Sequence, residues 1–489
     1  MSPHAVFPDQ MQSSTEPTSN GDTNGISQSS HLERWDDDEL HDLLCVGFGP
    51  ASLAIAVALH DAFEAKDCGL STRRPKVRFL ERQGRFAWHA GMLLPGTKMQ
   101  ITFIKDLATL RNPRSHFTFL NYLHQKNRLV QFTNLGTFLP ERIEYEDYMR
   151  WCAEHFEEVV DYGQSVEAVG VDSRNARTGA VESFSVRSVD SKTGRRRTTR
   201  ARHVVVAVGG KPSIPKELQA NHPRVIHSSQ YATSIEKIFP EGTQPRSIAV
   251  IGAGQSAAEI FHNIPQRFPE CRSLLLIRGA ALRPSDDSPF VNEIFDPNRV
   301  DDVYSQDPET RADGIASDKA TNYGVVRLEL LEELYTLLYS YRIRYSSEDQ
   351  WPHQILNHRS VTGMNDAVDG QPGVQLHVRN NTGAHHADGK SRSEVLDVDL
   401  VVVASGYQRN AHEEMLQGIE QLRQQGKDGS SSWEVNRDYS IKFQDGVVER
   451  DAGIWLQGCN EGTHGLSDTL LSILATRGGE MVESIFGTG

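Results

Sequence analysis

Two glycine-rich turns, and the residues that follow them, are the parts of this chain best suited to chemistry. Gly47-Phe48-Gly49-Pro50-Ala51-Ser52 follows the short apolar run Leu43-Leu44-Cys45-Val46 and leads into an apolar stretch, Ala51 to Leu59, that reads as a helix. In such a strand–turn–helix unit the first glycine permits the tight turn. The second lets the backbone approach a pyrophosphate seated on the positive end of the helix. Ser52 stands where a third glycine is usual, so helix–strand packing has to accommodate a hydroxymethyl group. The next strand-like run, Val77-Arg78-Phe79-Leu80-Glu81, ends in an acid suited to a ribose diol. It lies beyond the usual spacing of about 20 residues, which calls for a surface loop between Ala62 and Pro75.

The pattern recurs at Gly252-Ala253-Gly254-Gln255-Ser256-Ala257, after the run Ser247-Ile248-Ala249-Val250-Ile251. The strand that follows, Leu274-Leu275-Leu276-Ile277, ends in Arg278, where an NAD site would present an acid. An arginine there suits a 2′-phosphate through paired, charge-assisted hydrogen bonds and favours NADPH; the competing role is an exposed strand-end arginine. Two such units in one chain are the arrangement of flavoproteins that hold FAD in the first and NADPH in the second.

The elements that must position these turns are legible from periodicity. The fold class is α/β, with two Rossmann-like dinucleotide-binding domains and a smaller substrate-binding region. Phe117 to His124 and Tyr145 to Val160 read as helices, and 165–208 alternates like an antiparallel meander with a basic turn at Arg195-Arg196-Arg197. The meander closes on His203-Val204-Val205-Val206-Ala207-Val208-Gly209-Gly210; a second buried run, Asp399 to Tyr407, contains Gly406. Both are expected to return the chain to the first sheet, where close backbone approach needs glycine. The polar stretches 300–320 and 379–394 read as loops, Gly453 to Gly458 as a strand, and Leu470 onward as a helix. The expected layout is a disordered tail over 1–38 and the first part of the FAD domain over 39–215. An NADPH domain follows over 216–395, with substrate-binding insertions from about 284. The second part of the FAD domain, with the C-terminal helix, takes 396–489.

At 489 residues the chain exceeds one ordinary core. Its net charge of −14 argues against broad nucleic-acid or anionic-membrane binding. No apolar run reaches the roughly 18 residues needed to span a bilayer. The Ser-, Thr-, Asn- and Gln-rich first 30 residues lack a secretory apolar stretch, and the last residues carry no peroxisomal address, so a cytoplasmic protein is expected. The five cysteines, Cys45, Cys68, Cys152, Cys271 and Cys459, are scattered and supply neither a zinc set nor a redox dithiol. Disulfide reductases share the two-nucleotide architecture but need such a dithiol beside the flavin. Without one, dioxygen is the natural electron acceptor, which makes a monooxygenase the leading class.

Five segments carry a closer resemblance: Gly47-Phe48-Gly49-Pro50, Met99-Gln100-Ile101-Thr102-Phe103-Ile104-Lys105-Asp106-Leu107, Arg111-Asn112-Pro113, Ala404-Ser405-Gly406-Tyr407 and Thr463-His464-Gly465-Leu466-Ser467-Asp468. From about residue 40 to about 480 the chain closely resembles the L-ornithine N-monooxygenases of siderophore biosynthesis, fungal ones especially. It departs at Ser405, where the wider group often has threonine. It departs again at His227-Ser228-Ser229-Gln230-Tyr231, which matches the end of the flavin-monooxygenase fingerprint without its upstream glycine (Asn221 and Pro223 occupy that region).

The resemblance implies a set of roles. Glu81, Arg82, Gln83, Gly84, Arg85, Phe86, Ala87, Trp88 and His89, with Gln100 and Val166, line FAD, and Leu466, Asp468 and Thr469 close over it near Ser467. Gln255, Ser256, Arg278 and the turn Asn322-Tyr323-Gly324 hold NADPH. Lys105 binds the substrate α-carboxylate, with Asn292, Glu293, Ile294, Phe295, Asn322 and Ser467 around the amino acid. It also implies a homotetramer, and a reaction in which NADPH reduces FAD, O2 gives a C4a-hydroperoxyflavin and the neutral side-chain amine of L-ornithine is hydroxylated; lysine or a diamine is the alternative substrate. No metal is implied. Plainer roles compete: Asp106 or another acid could pair with Lys105. Asn292 and Asn322 could be turn formers, Ser467-Asp468 could cap the last helix, and His89 and His464 could be packing histidines.

Overall fold

The computed structural model describes residues 30–65, 74–367, 372–382, 392–424 and 432–487. β1 (Leu40–Val46) turns at Gly47 into α1 (Pro50–Glu64), and the chain returns in β2 (Val77–Glu81). Three helices, α2 (Phe119–Gln125), α3 (Leu129–Asn134) and α4 (Arg142–Glu154), precede the short β3 (Val160–Tyr162) and the meander β4 (Gln164–Arg174), β5 (Val181–Asp190) and β6 (Arg196–Val206). β7 (Lys211–Pro212) leads to the second unit: β8 (Val225–His227), α5 (Tyr231–Ile238), β9 (Ser247–Ile251), α6 (Gln255–Arg267) and β10 (Arg272–Leu276). Four helices follow, α7 (Pro289–Asn292), α8 (Arg299–Ser305), α9 (Pro308–Asn322) and α10 (Leu328–Arg344). Then come β11 (His353–Leu356), a hairpin ribbon of β12 (Arg359–Asp366), β13 (Val374–Asn380) and β14 (Arg392–Val398), and β15 (Leu400–Val403). β16 (Tyr407–Gln408), α11 (Ala411–Met415), β17 (Gly453–Leu456), α12 (Glu461–His464) and α13 (Leu474–Phe486) complete the chain.

The first sheet runs β3-β2-β1-β6-β5-β4, with β17 alongside the second half of β6; the second runs β11-β10-β9-β15-β8, every pairing parallel. In each, the strand before the glycine turn is central, with its crossover partner on one side and a later Val-rich strand on the other. That is the point in an open parallel sheet where a ligand crevice forms. Apolar side chains of β1, α1, α4 and α13 make the first core, and those of β9, α6, β10 and α10 the second.

Several expectations need correction. The second predicted helix ends at Glu154, and Val160 opens β3. Arg196 and Arg197 belong to β6, leaving only Arg195 in the turn. The polar stretch 300–320 is mostly helical: Asp307 accepts from the N–H groups of Glu309 and Thr310 at 3.2 and 3.0 Å, and Pro308 takes the first turn. Of 379–394, residues 379–380 close β13 and 392–394 open β14; 383–391 lie outside the described residues, as does 66–73 within the expected surface loop. Residues 30–38, placed in the tail, are packed instead. Leu32 is buried in the first core and Arg34 pairs with Asp161 at 2.9 Å.

The run ending at Gly406 does not return to the first sheet. β15 lies between β8 and β9, serving the second turn as β6 serves the first. The return comes at β16, which pairs antiparallel with β7, so both crossings between the sheets run side by side at 211–212 and 407–408.

Candidate active site

The two turns are built alike. Gly47 has φ +91°, and a Cβ there would lie 2.5 Å from the Ala207 carbonyl oxygen at the end of β6. Gly252 has φ +146°, and a Cβ there would lie 2.4 Å from the Ala404 carbonyl at the end of β15. Glycine is required at both by conformation and by contact. Gly49 and Gly254 are the N-caps of α1 and α6, and neither helix has a side-chain cap or an acid in its first turn. A Cβ at Gly49 would meet no atom within 4 Å. Two uncapped, acid-free helix ends beside glycine turns fit a dinucleotide pyrophosphate each.

Glu81 holds the first turn in shape. One carboxylate oxygen accepts from the Phe48 N–H at 2.7 Å and the other from the Gln83 N–H at 2.8 Å. Beyond it Arg82, Gln83, Gly84 and Arg85 are exposed, Phe86 is buried, and Ala87 and Trp88 are half-buried. His89 is exposed, with φ 46°, its ring 5.1 Å from Trp88 and 5.9 Å from Tyr407. Gln100 is exposed, and Val166 packs on the apolar face beneath Leu44, Val46 and Leu80.

Around the second turn, a Cβ at Gly254 would approach the Gly324 Cα at 3.4 Å, so the Asn322-Tyr323-Gly324 turn lies against it. Ser256 is half-buried in the first turn of α6. The Gln255 amide is taken up inside the protein: it accepts from the Arg327 N–H at 2.9 Å and donates to Glu259 at 2.8 Å. Glu259 in turn receives both arms of Arg142 at 2.8 Å, and Arg142 also reaches the Met92 carbonyl at 2.9 Å. This fork ties α4 of the first nucleotide unit to α6 of the second. Sequence reading missed it, although Glu259 stands one helical turn from Gln255. Arg278 is exposed one residue past Ile277 and has no hydrogen bond or ion pair among the described residues.

Lys105 is half-buried and without an ion pair among the described residues. Its neighbour is not the partner. The Asp106 carboxylate is buried and committed to the N–H groups of Ala108 (2.9 Å), Thr109 (2.6 Å) and Phe119 (2.7 Å) and to the Thr109 hydroxyl (2.7 Å). The Tyr145 hydroxyl donates to the Lys105 carbonyl at 3.1 Å, fixing the backbone while leaving the ammonium free.

The turns 293–295 and 466–469 pack on one another, and α9 packs on the latter. Ile294 is half-buried and Phe295 buried, whereas Glu293 is exposed and paired with Arg299 at 3.0 Å. Asn292 is exposed and donates to the Asp287 carbonyl at 2.9 Å, a turn-forming bond. Asn322 ends α9, and Tyr323 next to it reaches Glu461 at 3.0 Å and Thr469 at 2.8 Å. No hydrogen bond joins Lys105 to these turns among the described residues.

Leu466, Ser467 and Asp468 are buried. They do not cap α13, whose N-cap is Ile473. The Asp468 carboxylate is paired with Arg477 at 2.8 Å and accepts from the Asn460 N–H at 2.7 Å. An ionised group that far from water needs internal partners. His464 is a packing histidine: it stacks on Tyr439 at 4.2 Å, one ring nitrogen lies 3.0 Å from the Arg437 carbonyl, and burial lowers its pKa.

Fold and site together define a flavoprotein of the class with two dinucleotide-binding domains. The family model for L-lysine 6-monooxygenase/L-ornithine 5-monooxygenase matches residues 39–409, and the chain belongs to that family. It is 55% identical over 474 residues, 94% of this chain and 89% of the relative, to an L-ornithine N(5)-monooxygenase of Cochliobolus heterostrophus. Among solved structures it is similar to the ornithine hydroxylase PvdA of Pseudomonas aeruginosa (TM-score 0.80, 34% identity, covering 92% of this chain and 99% of that one). It is equally similar to an ornithine N-hydroxylase of Kutzneria sp. 744 described with reduced FAD, NADP+ and L-ornithine (TM-score 0.80, 34% identity, covering 91% and 99%).

Proposed function

We propose that this chain is an FAD- and NADPH-dependent L-ornithine N5-monooxygenase that uses O2 to hydroxylate the side-chain amine, the product serving hydroxamate siderophore biosynthesis. The observation that carries the reading is Lys105, a half-buried ammonium with no ion pair among the described residues. The relatives named for ornithine hydroxylation support it. The domains follow the crossings, FAD with the first sheet and NADPH with the second.

When bound, the flavin accepts hydride from NADPH and activates dioxygen. The chain's own residues place and shield these groups. The Gly47–Ala51 turn holds the FAD pyrophosphate and Glu81 its ribose, while the Gly252–Ser256 turn and Arg278 hold NADPH. Lys105 fixes the α-carboxylate, and the 293–295, 322–324 and 466–469 turns close around the amino acid and exclude water. Attack needs an uncharged amine: taking an ammonium of pKa ~10.4 to its neutral form at pH ~7.5 costs about 4 kcal/mol. Transfer out of water favours the neutral form, so desolvation in the closed crevice carries the deprotonation. Anchoring the far end of the substrate makes a chain one methylene longer misplace its amine, where geometry controls rate.

The test is NADPH consumption with L-ornithine, L-lysine, L-arginine and putrescine, scoring hydroxylamine formation. Ornithine is expected to give the highest coupled rate; preferred turnover of another amine would reassign the substrate within the family.

Two cofactor variants follow. Gly47→Ala places a side chain on a left-handed backbone and against the Ala207 carbonyl, and purified variant is expected to carry several-fold less FAD, read from flavin absorbance. Retention of a full complement would show that the turn yields. Arg278→Ala is expected to erase most preference for NADPH over NADH, about 10- to 100-fold, by weakening NADPH alone. Preference that survives assigns the 2′-phosphate to another residue.

A homotetramer is proposed with this activity. It is supported by exposed Tyr335, Tyr339 and Ile343, which recur at one-turn spacing along α10 and leave an apolar stripe. No helix among the described residues is long and apolar enough to cross a membrane. A cytoplasmic location is proposed, in keeping with the free thiols of Cys45, Cys152, Cys271 and Cys459.

A further inference from the structure

α1 begins at the first glycine turn and ends on a different kind of cluster. His60 and Glu64 stand one helical turn apart near its C-terminus, and His31, from the segment before β1, folds over both. The His31 Nε2 lies 2.5 Å from a Glu64 oxygen, and the two imidazole rings are 4.7 Å apart, tilted by 32°. The His31 backbone N–H approaches the His60 Nδ1 at 3.4 Å, a long contact that holds the two residues together. One ligand atom from each of the three residues lies within 4.8 Å of the others. His60 forms a buried wall, whereas Glu64 opens to solvent. The group borders a cleft of about 520 Å³ lined also by Asp61, Ser115, His116 and Asn121.

We propose that His31, His60 and Glu64 form a binding site for a divalent transition-metal ion, with Zn2+ as its representative, that staples the segment before β1 to the end of α1. Two imidazoles and one carboxylate are a ligand set for borderline-soft divalent ions, with water in the remaining position. From Pro50 to His60 the helix rises about 15 Å, which sets the site apart from the pyrophosphate turn. The ion therefore has a stabilising role and no place in the reaction.

The test is calorimetric titration of Zn2+ into the full-length, FAD-loaded protein, with thermal unfolding followed in parallel. Wild type is expected to bind Zn2+ and to melt at a higher temperature with it, because the ion binds only the folded arrangement. His31→Ala and Glu64→Gln, both changes at partly exposed positions, are each expected to weaken binding about 10-fold or more and to remove the thermal shift. Zn2+ binding unchanged in both variants would place the ion on other histidines and overturn the proposal. So would a wild type that takes up no Zn2+, which would leave His31 and Glu64 as an ion pair alone.

Discussion

Lys105→Ala is expected to raise the L-ornithine concentration for half-saturation about 100-fold, while NADPH oxidation itself persists. The size follows from removing a charge-assisted partner from a carboxylate in a partly dry site, a loss of about 3 kcal/mol. The direction follows from what the ammonium does not do in the protein: Asp106, the one acid next to it in sequence, is fully occupied by three backbone N–H groups and a hydroxyl. Removing the ammonium therefore breaks no ion pair among the described residues, and folding is expected to be little affected. Steady-state kinetics with separate readouts of NADPH loss and hydroxylamine distinguish the outcomes. Unaltered ornithine saturation would take Lys105 out of the substrate site.

The second large effect concerns stability. Arg477 is buried on α13 and reaches both the Asp468 carboxylate, at 2.8 Å, and the Asp468 carbonyl, at 2.6 Å. Arg477→Met leaves the carboxylate buried with the Asn460 N–H as its remaining hydrogen-bond partner. Breaking a buried pair from one side costs about 3–5 kcal/mol, so the variant should unfold at clearly lower urea concentration and hold flavin less well. Arg477→Met combined with Asp468→Asn should cost less than the single change, because no orphaned charge remains. Equal unfolding midpoints for wild type and Arg477→Met would show that the pair contributes nothing.

The parts of the fold that were legible were those where one residue type has few physical substitutes. Gly47 and Gly252 sit where a Cβ would strike a backbone carbonyl, so the strand–turn–helix pattern around each marked a real structural requirement. The parts that misled were those where one pattern serves two places. The Val-rich runs of β6 and β15 both end in Ala followed closely by Gly, and nothing local tells which sheet each joins; only the pairing of β15 with β9 decides it. α9 was hidden for another reason. None of its residues is buried, so it lacks an apolar stripe, and its signal lies in the Asp307 cap and Pro308 alone. At the site, Asp468 carried a family role in sequence, yet its ion pair depends on Arg477, nine residues on in the next helix. The Arg142–Glu259 fork was invisible because its partners are far apart in the chain.

The central claim is that a flavin reduced through the second nucleotide unit delivers oxygen to an amine held by its far carboxylate. A single-turnover experiment tests it most directly: bleach the enzyme-bound flavin anaerobically with one equivalent of NADPH, then admit oxygen with and without L-ornithine. The account predicts close to one N5-hydroxyornithine per flavin with the substrate present, and peroxide without it. Reoxidation that yields peroxide alone in both cases, with no hydroxylamine, would contradict it.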